Sequence, residues 1–422
     1  MSGFLPWKII HVDLSQPLPN LPHESGVQGF YVVFWWHDLP LGRREILAAQ
    51  LPIPATQLRT LALQTITPAV GDRLFNHGFK APLPVLPHLQ PRDTPPDFEQ
   101  LRSLDRPLSN LQVQASATAA TVSVIICTRN RTDQLANCLR SLQMLSTPPH
   151  EIIVVDNAPS SDATQQLVAS MPNVRYVLEP RAGLSIARNT GIRHSTGDII
   201  AFTDDDVTVH PNWIAQLQRS FSDPQMMAIT GLVLPGALDT ESQVIFEKEL
   251  GGFGQGYRVK TFDKSFFMAM KHVGVPVWRI GAGANMAFRR QAFDRVGDFD
   301  ERLGAGASGC SEDSELWYRL LADGWSCRYD PSVVVYHYHR CDLDTLQHQA
   351  HQYMRGHVAA LLIQFEQYRH WGNLRRLCVA LPRYYFRRSL KSLFRRSKSF
   401  NKTLAAEISG YFSGVKFYLQ NK

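Results

Sequence analysis

Cysteine is scarce in this chain of 422 residues: six, at positions 127, 138, 310, 327, 341 and 378, with no C-x-x-C pair. That scatter excludes a zinc-finger ligand set and a disulfide framework, and it fits a reducing compartment. Long apolar runs are also missing. No stretch approaches the ~20 apolar residues that a membrane-spanning helix needs. The opening MSGFLPWKIIHVDLSQP has no apolar core ahead of a small-residue cleavage site. A cytoplasmic protein is expected, at most peripheral at the inner face of a membrane. Acids, finally, are absent from residues 367–406, where eleven lysines and arginines stand. Taking those eleven from the net charge of +7 leaves the rest of the chain at −4. The basic character belongs to the tail, so no nucleic-acid partner is expected.

What is present divides the chain. Residues 1–80 hold strand-like GFYVVFWW (29–36) and EILAAQLPI (45–53) and a helical stretch from 55 to 65, a small N-terminal α+β module of unassigned role. Residues 81–120 begin with six prolines in sixteen residues and read as a stiff linker. From 121 to 344, buried-strand runs alternate with helical stretches: 121–128, 151–156, 174–179 and 198–203 are the first four strands. Leu135, Cys138, Leu142 and Leu145 share one face of the first intervening helix. Such alternation implies right-handed crossovers and an α/β fold, a mostly parallel Rossmann-like sheet flanked by helices. Later strands are expected at 226–234, 278–290 and 332–339, and a helix at 311–324. Residues 345–422 read as a basic helical tail.

In a parallel sheet, ligands bind beyond the carboxyl ends of the strands. Polar residues stand at each of those ends: Thr128, Arg129 and Asn130; Asp156 and Asn157; Glu179; and Asp204, Asp205 and Asp206. Three adjacent carboxylates repel one another, so a positive partner is expected. A divalent metal, Mn²⁺ or Mg²⁺, on one or two carboxylates at a strand end also binds the phosphates of a nucleotide. A solvated acidic turn is the plainer alternative. A second is a phosphatase of the haloacid-dehalogenase type, with Asp204 as nucleophile and Asp206 as acid/base. That motif opens on the first strand of its domain, however, and here three strand–helix units precede it.

SVIICTRNRTDQLANCLRSL, EIIVVDNAPSSDAT and AGLSIARNTGIRHSTGDIIAFTDDD, in that order, resemble the family 2 inverting glycosyltransferases of the A-type nucleotide-sugar fold. The resemblance spans residues 121 to about 340. It implies a nucleotide-diphosphate sugar donor, a hydroxyl acceptor (glycan or lipid-linked), a divalent metal and single displacement with inversion, in cell-envelope, polysaccharide or glycolipid synthesis. By the same resemblance Thr128 and Arg129 border the base, and Asp156 accepts a hydrogen bond from it. Gly183 lets the backbone approach the nucleotide, and Arg188 and Asn189 lie near base or ribose. Arg188 also suits a core ion pair with an aspartate. Asp204 and Asp205 fall near the ribose and the metal's water shell, and Asp206 is the direct ligand of a D-x-D pair. A histidine such as His337 or His339 completes the metal site in some related enzymes; two hydrogen-bonded histidines at a strand end are the alternative.

On the acceptor side, Ser311 is expected to cap a helix whose first turn holds Glu312 and Asp313. Acids are favoured there by the helix dipole alone. The resemblance makes this pair the site of the catalytic base, with Asp313 taking the acceptor proton. Asp300 is read as an organiser of the loop upstream. Trp278 and the run GAGAN (281–285) suggest an acceptor wall, or core packing. In the tail, RYYFRRSLKSLFRRSKSF interleaves aromatics with arginines, as in helices that lie on anionic membrane surfaces; a solvated helix packed on the catalytic part is the alternative. A nucleotidyltransferase lacks its glycine-rich basic loop here, and a non-catalytic nucleotide-sugar-binding protein has no use for Asp313.

Overall fold

The computed structural model describes residues 4–76, 120–394 and 403–422; the proline-rich linker at 81–96 lies outside them. β2 (Gly29–Trp36) is apolar without alternation, and all of it is buried. Successive side chains of a strand face opposite ways, so such a run needs cover on both sides. Phe30, Val32, Phe34 and Trp36 cluster with Leu58, Ala62 and Ile66 of α1 (Ala55–Asn76). Tyr31, Val33 and Trp35 cluster instead with Leu232, Leu234 and Val334 of the central sheet. β1 (Trp7–Asp13), an unanticipated strand, pairs parallel to β2, and β3 (Leu39–Leu47) antiparallel. The strand expected at 45–53 is displaced toward the N-terminus because Pro52 and Pro54 have no N–H for a ladder.

The central strands are β4 (Val122–Thr128), β5 (Glu151–Asn157), β6 (Val174–Glu179), β7 (Ile199–Asp204), β8 (Val207–Val209), β9 (Met226–Pro235), β10 (Lys260–Phe262), β11 (Asn285–Arg289) and β12 (Ser326–His337). Their order is β10-β12-β9-β11-β7-β4-β5-β6, with β8 paired to β12. β7-β4-β5-β6 is wholly parallel, β9 and β12 are parallel, and β11 runs antiparallel between β7 and β9. Period two sorts the side chains into two layers. Val122, Val124 and Ile126 join Leu135, Cys138, Leu139 and Leu142 of α2 (Thr132–Gln143). Ile125, on the other face, joins Ala187 and Ile192 of α3 (Leu184–His194) and Leu316 and Leu320 of α4 (Glu312–Ala322).

The stretch expected as one strand at 278–290 breaks into a helical turn at Val277–Arg279, a small-residue loop, and β11. Close approach dictates the loop's composition: a Cβ on Gly281 would come within 2.5 Å of Thr230. β12 starts earlier than expected and carries a bulge between Asp330 and Val334, where Pro331 interrupts the ladder. The tail is helical: α5 (Leu343–Tyr368), α6 (Leu381–Phe394) and α7 (Leu404–Gln420). α7 lies close on α5 at Gly410, where a Cβ would meet the His351 carbonyl at 2.3 Å. No helix among the described residues is long and apolar enough to cross a membrane.

Candidate active site

A cleft of about 1560 Å³ opens beyond the carboxyl ends of β4, β5 and β7. The aspartates that end β7 resolve their repulsion by taking different partners. Asp205 accepts from Thr128 Oγ1 at 2.7 Å and from Arg131 Nη1 at 2.5 Å. Arg131 Nη2 reaches Asp206 Oδ2 at 2.7 Å, so one guanidinium spans two carboxylates. Asp204 faces Arg188 at 3.6 Å. The pairing of β8 with β12 sets Val207 opposite His337, and the Tyr338 N–H donates to the Asp206 carbonyl at 3.0 Å. That register brings His337 Nε2 to 3.2 Å from Asp206 Oδ1. Burial alone would raise the Asp206 carboxyl, but His337 and Arg131 hold it well below the usual range. Burial prevails at Asp205, pushed up to about 7 against Arg131.

Asp204, Asp206 and His337 offer ligand atoms that all lie within 4.8 Å of one another. Carboxylate with imidazole suits a divalent ion such as Mn²⁺. His337 turns Nε2 toward the carboxylates, which makes that nitrogen the one placed to ligate, while Nδ1 is buried without a partner among the described residues. His339 is not in this cluster. Its ring lies 4.9 Å from that of His337, but its Nε2 turns to Glu247 Oε2 at 3.6 Å and its ring packs on Phe246. β12 has ended at His337, and the buried Glu247 carboxylate draws the next histidine away.

The second acidic pair stands at the start of α4. Ser311 does not cap it: the residue sits at φ +73° with no side-chain cap bond, a left-handed conformation that costs a non-glycine residue about 1 kcal/mol or more. Asp313 does that work itself, accepting from the Ser314 N–H at 2.5 Å. Burial and the adjacent Glu312 push the Asp313 carboxyl up to about 7, against the pull of Arg188. Glu312 accepts from Arg188 Nη1 at 2.5 Å and leaves Oε2 buried and unpartnered. Arg188 thus ties the end of β7 to the start of α4. A Cβ on Gly283 would lie 3.3 Å from Asp313 Oδ2 and 3.0 Å from Arg188 Nη2, so the GAGAN run borders this pair directly.

The profile of Glycosyl transferase family 2 matches residues 123–297, the part of the chain that carries β4 to β11 and the aspartates. Residues 123–297 are a glycosyl transferase family 2 domain. A pre-mycofactocin glycosyltransferase of Mycobacterium tuberculosis is 26% identical over 245 residues, which cover 57% of this chain and 47% of that protein. The succinoglycan biosynthesis protein ExoM of Rhizobium meliloti is 30% identical over 227 residues, 51% of this chain and 66% of that protein. The chain therefore spans about half the length of the first of these relatives. Among solved structures, a Pyrobaculum calidifontis mannosyltransferase in complex with GDP-Man and Mn²⁺ overlaps 74% of this chain and 94% of its own, at 16% identity and a TM-score of 0.47.

Other expected residues of the family 2 domain divide between cleft and core. Thr128, Arg129, Gly183 and Arg188 line the cleft, with Arg129 exposed. Asp156 and Asn189 do not. Asp156 is fully buried, accepts from the Tyr176 hydroxyl at 3.1 Å, and keeps Oδ1 unpartnered. Asn189 clasps the Phe299 backbone, donating to its carbonyl and accepting from its N–H, each at 2.9 Å. The cleft residue beside Asp156 is Asn157, whose Oδ1 accepts from the Gly183 N–H at 2.9 Å. Gly183, at φ +146°, adopts a backbone that favours glycine. Asp300 grips Arg302 at 2.7 Å and orders its loop.

Sequence reasoning missed Arg131, three residues beyond Thr128, and Glu247. The Glu247 carboxylate accepts from the Tyr31 hydroxyl at 2.8 Å and from Arg43 at 2.7 Å, both on the N-terminal sheet. The alternation of the apolar run before Arg131 fixes the strand end but not which arginine turns inward. Nothing local marks Glu247.

Proposed function

We propose that this chain transfers a sugar from a nucleotide-diphosphate donor to a hydroxyl acceptor, with inversion and metal assistance, in polysaccharide or glycolipid synthesis. One observation carries the reading: a single cleft presents the Asp204, Asp206 and His337 cluster and, beside the Glu312 that Arg188 joins to Asp204, a carboxylate of raised pKa at Asp313. Asp313 takes the proton from the acceptor hydroxyl as that oxygen forms its bond to the anomeric carbon; the bond from that carbon to the diphosphate oxygen breaks on the opposite face. Asp204, Asp206 and His337 would hold Mn²⁺ or Mg²⁺, which when bound neutralises charge on the departing diphosphate. Thr128, Arg129 and Gly183 serve the nucleotide end. A relative named for succinoglycan biosynthesis supports the polysaccharide branch. A phosphatase reading has no such support, since Asp204 faces a buried arginine.

The test is a panel of nucleotide sugars, assayed for Mn²⁺-dependent thermal stabilisation and slow hydrolysis. One donor should raise the melting temperature only with metal present; no response from any would overturn the reading.

The tail adds a peripheral membrane contact to the proposal. Trp371, Val379, Tyr384 and Phe386 are exposed beside exposed Arg375, Arg383 and Arg387, an aromatic and cationic face suited to anionic headgroups. Salt-sensitive co-sedimentation with anionic liposomes is expected, and its absence removes this contact.

A further inference from the structure

We propose that the acceptor carries a phosphate-type oxyanion, held by Arg376, between α5 and α6, and by Arg279, in the helical turn before β11, on one side of the cleft. This deepens the transfer reading and rests on it for what the bound molecule is. The cleft lining is rich in arginine: Arg355 on α5, Arg376 and Arg388 after it, Arg279 in the helical turn before β11 and Arg340 just before α5. Arg388 is engaged by Glu407 at 2.6 Å. Arg376 has no such carboxylate among the described residues. Its guanidinium lies 3.9 Å over the ring of Trp278, and its Nε is 3.1 Å from His357 Nε2. Both Nη groups then remain without a partner among the described residues, in the fork that suits a phosphate or carboxylate bidentately.

The side chain is held in place from below. A Cβ on Gly274 would meet the Arg376 Cβ at 2.8 Å, so the glycine lets the arginine stem lie against the backbone. Arg376 opens a π-helical turn, Arg376–Ala380, a distortion that recurs at functional sites. Burial draws its guanidinium down to about 10, and burial together with Arg376 draws His357 down to about 3, so the histidine is neutral and accepts. A part-buried cation over an indole, hydrogen-bonded to a neutral imidazole, gains an opposite charge only when an anion arrives. Arg279, exposed and adjacent to Trp278, supplies a second positive charge on the same wall.

The place fits the acceptor rather than the donor. Trp278, under the Arg376 guanidinium at 3.9 Å, stands just before the small-residue loop in which a Cβ on Gly283 would lie 3.3 Å from Asp313 Oδ2. Asp313 and Arg376 line the same cleft, so one molecule can meet both.

The test is calorimetric titration of hexyl phosphate into the full chain in EDTA, without nucleotide. Wild type should bind, Arg376→Gln should weaken binding roughly tenfold or more, and Arg140→Gln, an exposed arginine on α2, should not. Arg376→Lys keeps the charge without the fork and should weaken binding by a smaller factor, which keeps the proposal open to test if the glutamine variant does not fold. Vesicles of phosphatidylcholine with phosphatidic acid then name the source: displacement of hexyl phosphate points to a lipid-borne phosphate, and no displacement to a soluble one, the subsite standing either way. Unweakened binding in both Arg376 variants, or no binding by wild type, overturns the proposal. So does competition between hexyl phosphate and a nucleoside diphosphate with Mn²⁺, which would assign the arginine to the donor. Because the titration contains neither metal nor nucleotide, a failed donor panel beside Arg376-dependent phosphate binding sinks the transfer reading alone.

Discussion

Asp313→Asn should lower transfer by about three orders of magnitude, within the range that positioned bases contribute, while Mn²⁺-dependent nucleotide binding survives. Asparagine keeps the size of the side chain and an oxygen for the Ser314 N–H, so the helix start is preserved. What disappears is the basic oxygen, Oδ2, beside Gly283. The wild-type pH profile reports the same group. A base must be ionised, and with this carboxyl at about 7 the rate should fall as pH drops below 7 and level off above it. An ordinary aspartate would place that limb near 4. Full activity in the asparagine variant, or a flat profile between pH 5 and 8, would remove Asp313 from the role.

Asp206→Asn should abolish the metal-dependent part of nucleotide binding. At a ligand concentration a hundredfold above Kd, binding stabilises the folded chain by about 2.7 kcal/mol, and that increment should vanish. Transfer should fall at least a hundredfold with it. The carboxylate is the shared partner of His337 and Arg131, so its neutralisation also leaves two nitrogen groups less well matched. The melting temperature without ligand therefore has to be measured beside the shift. A variant that melts near wild type yet still gains stability from nucleotide and Mn²⁺ would show that Asp206 is not the ligand.

Asp206 was identifiable from sequence because strand ends in a parallel sheet announce themselves: the buried runs VSVIIC and DIIAFT end at Thr128 and Asp204, at a rim, whereas Asp313, in the first turn of a helix, followed from the resemblance. The same logic misjudged what happens past a rim. Ser311 looks like a helix cap by residue type, yet the left-handed backbone there turns its hydroxyl away. Asn189 looks polar and available, yet its amide closes on the Phe299 backbone. His339 shares a period with His337 but not a partner. Side-chain choices among several polar neighbours depend on distant backbone, which short-range patterns do not encode. The N-terminal sheet is the larger case, since its register with the central sheet rests on surfaces far apart in sequence.

That sheet has a consequence for how the chain can be divided. Tyr31, Val33 and Trp35 cover Leu232, Leu234 and Val334, the Trp7 N–H donates to the Leu238 carbonyl at 3.0 Å, and Tyr31 and Arg43 hold the charge of Glu247. A chain cut back to its transferase portion would bare that apolar face to water and strand a buried carboxylate beside His339. The proline-rich segment marks a change of composition, not a line along which the molecule separates. Removing the N-terminal strands should therefore lower the melting temperature of the remainder.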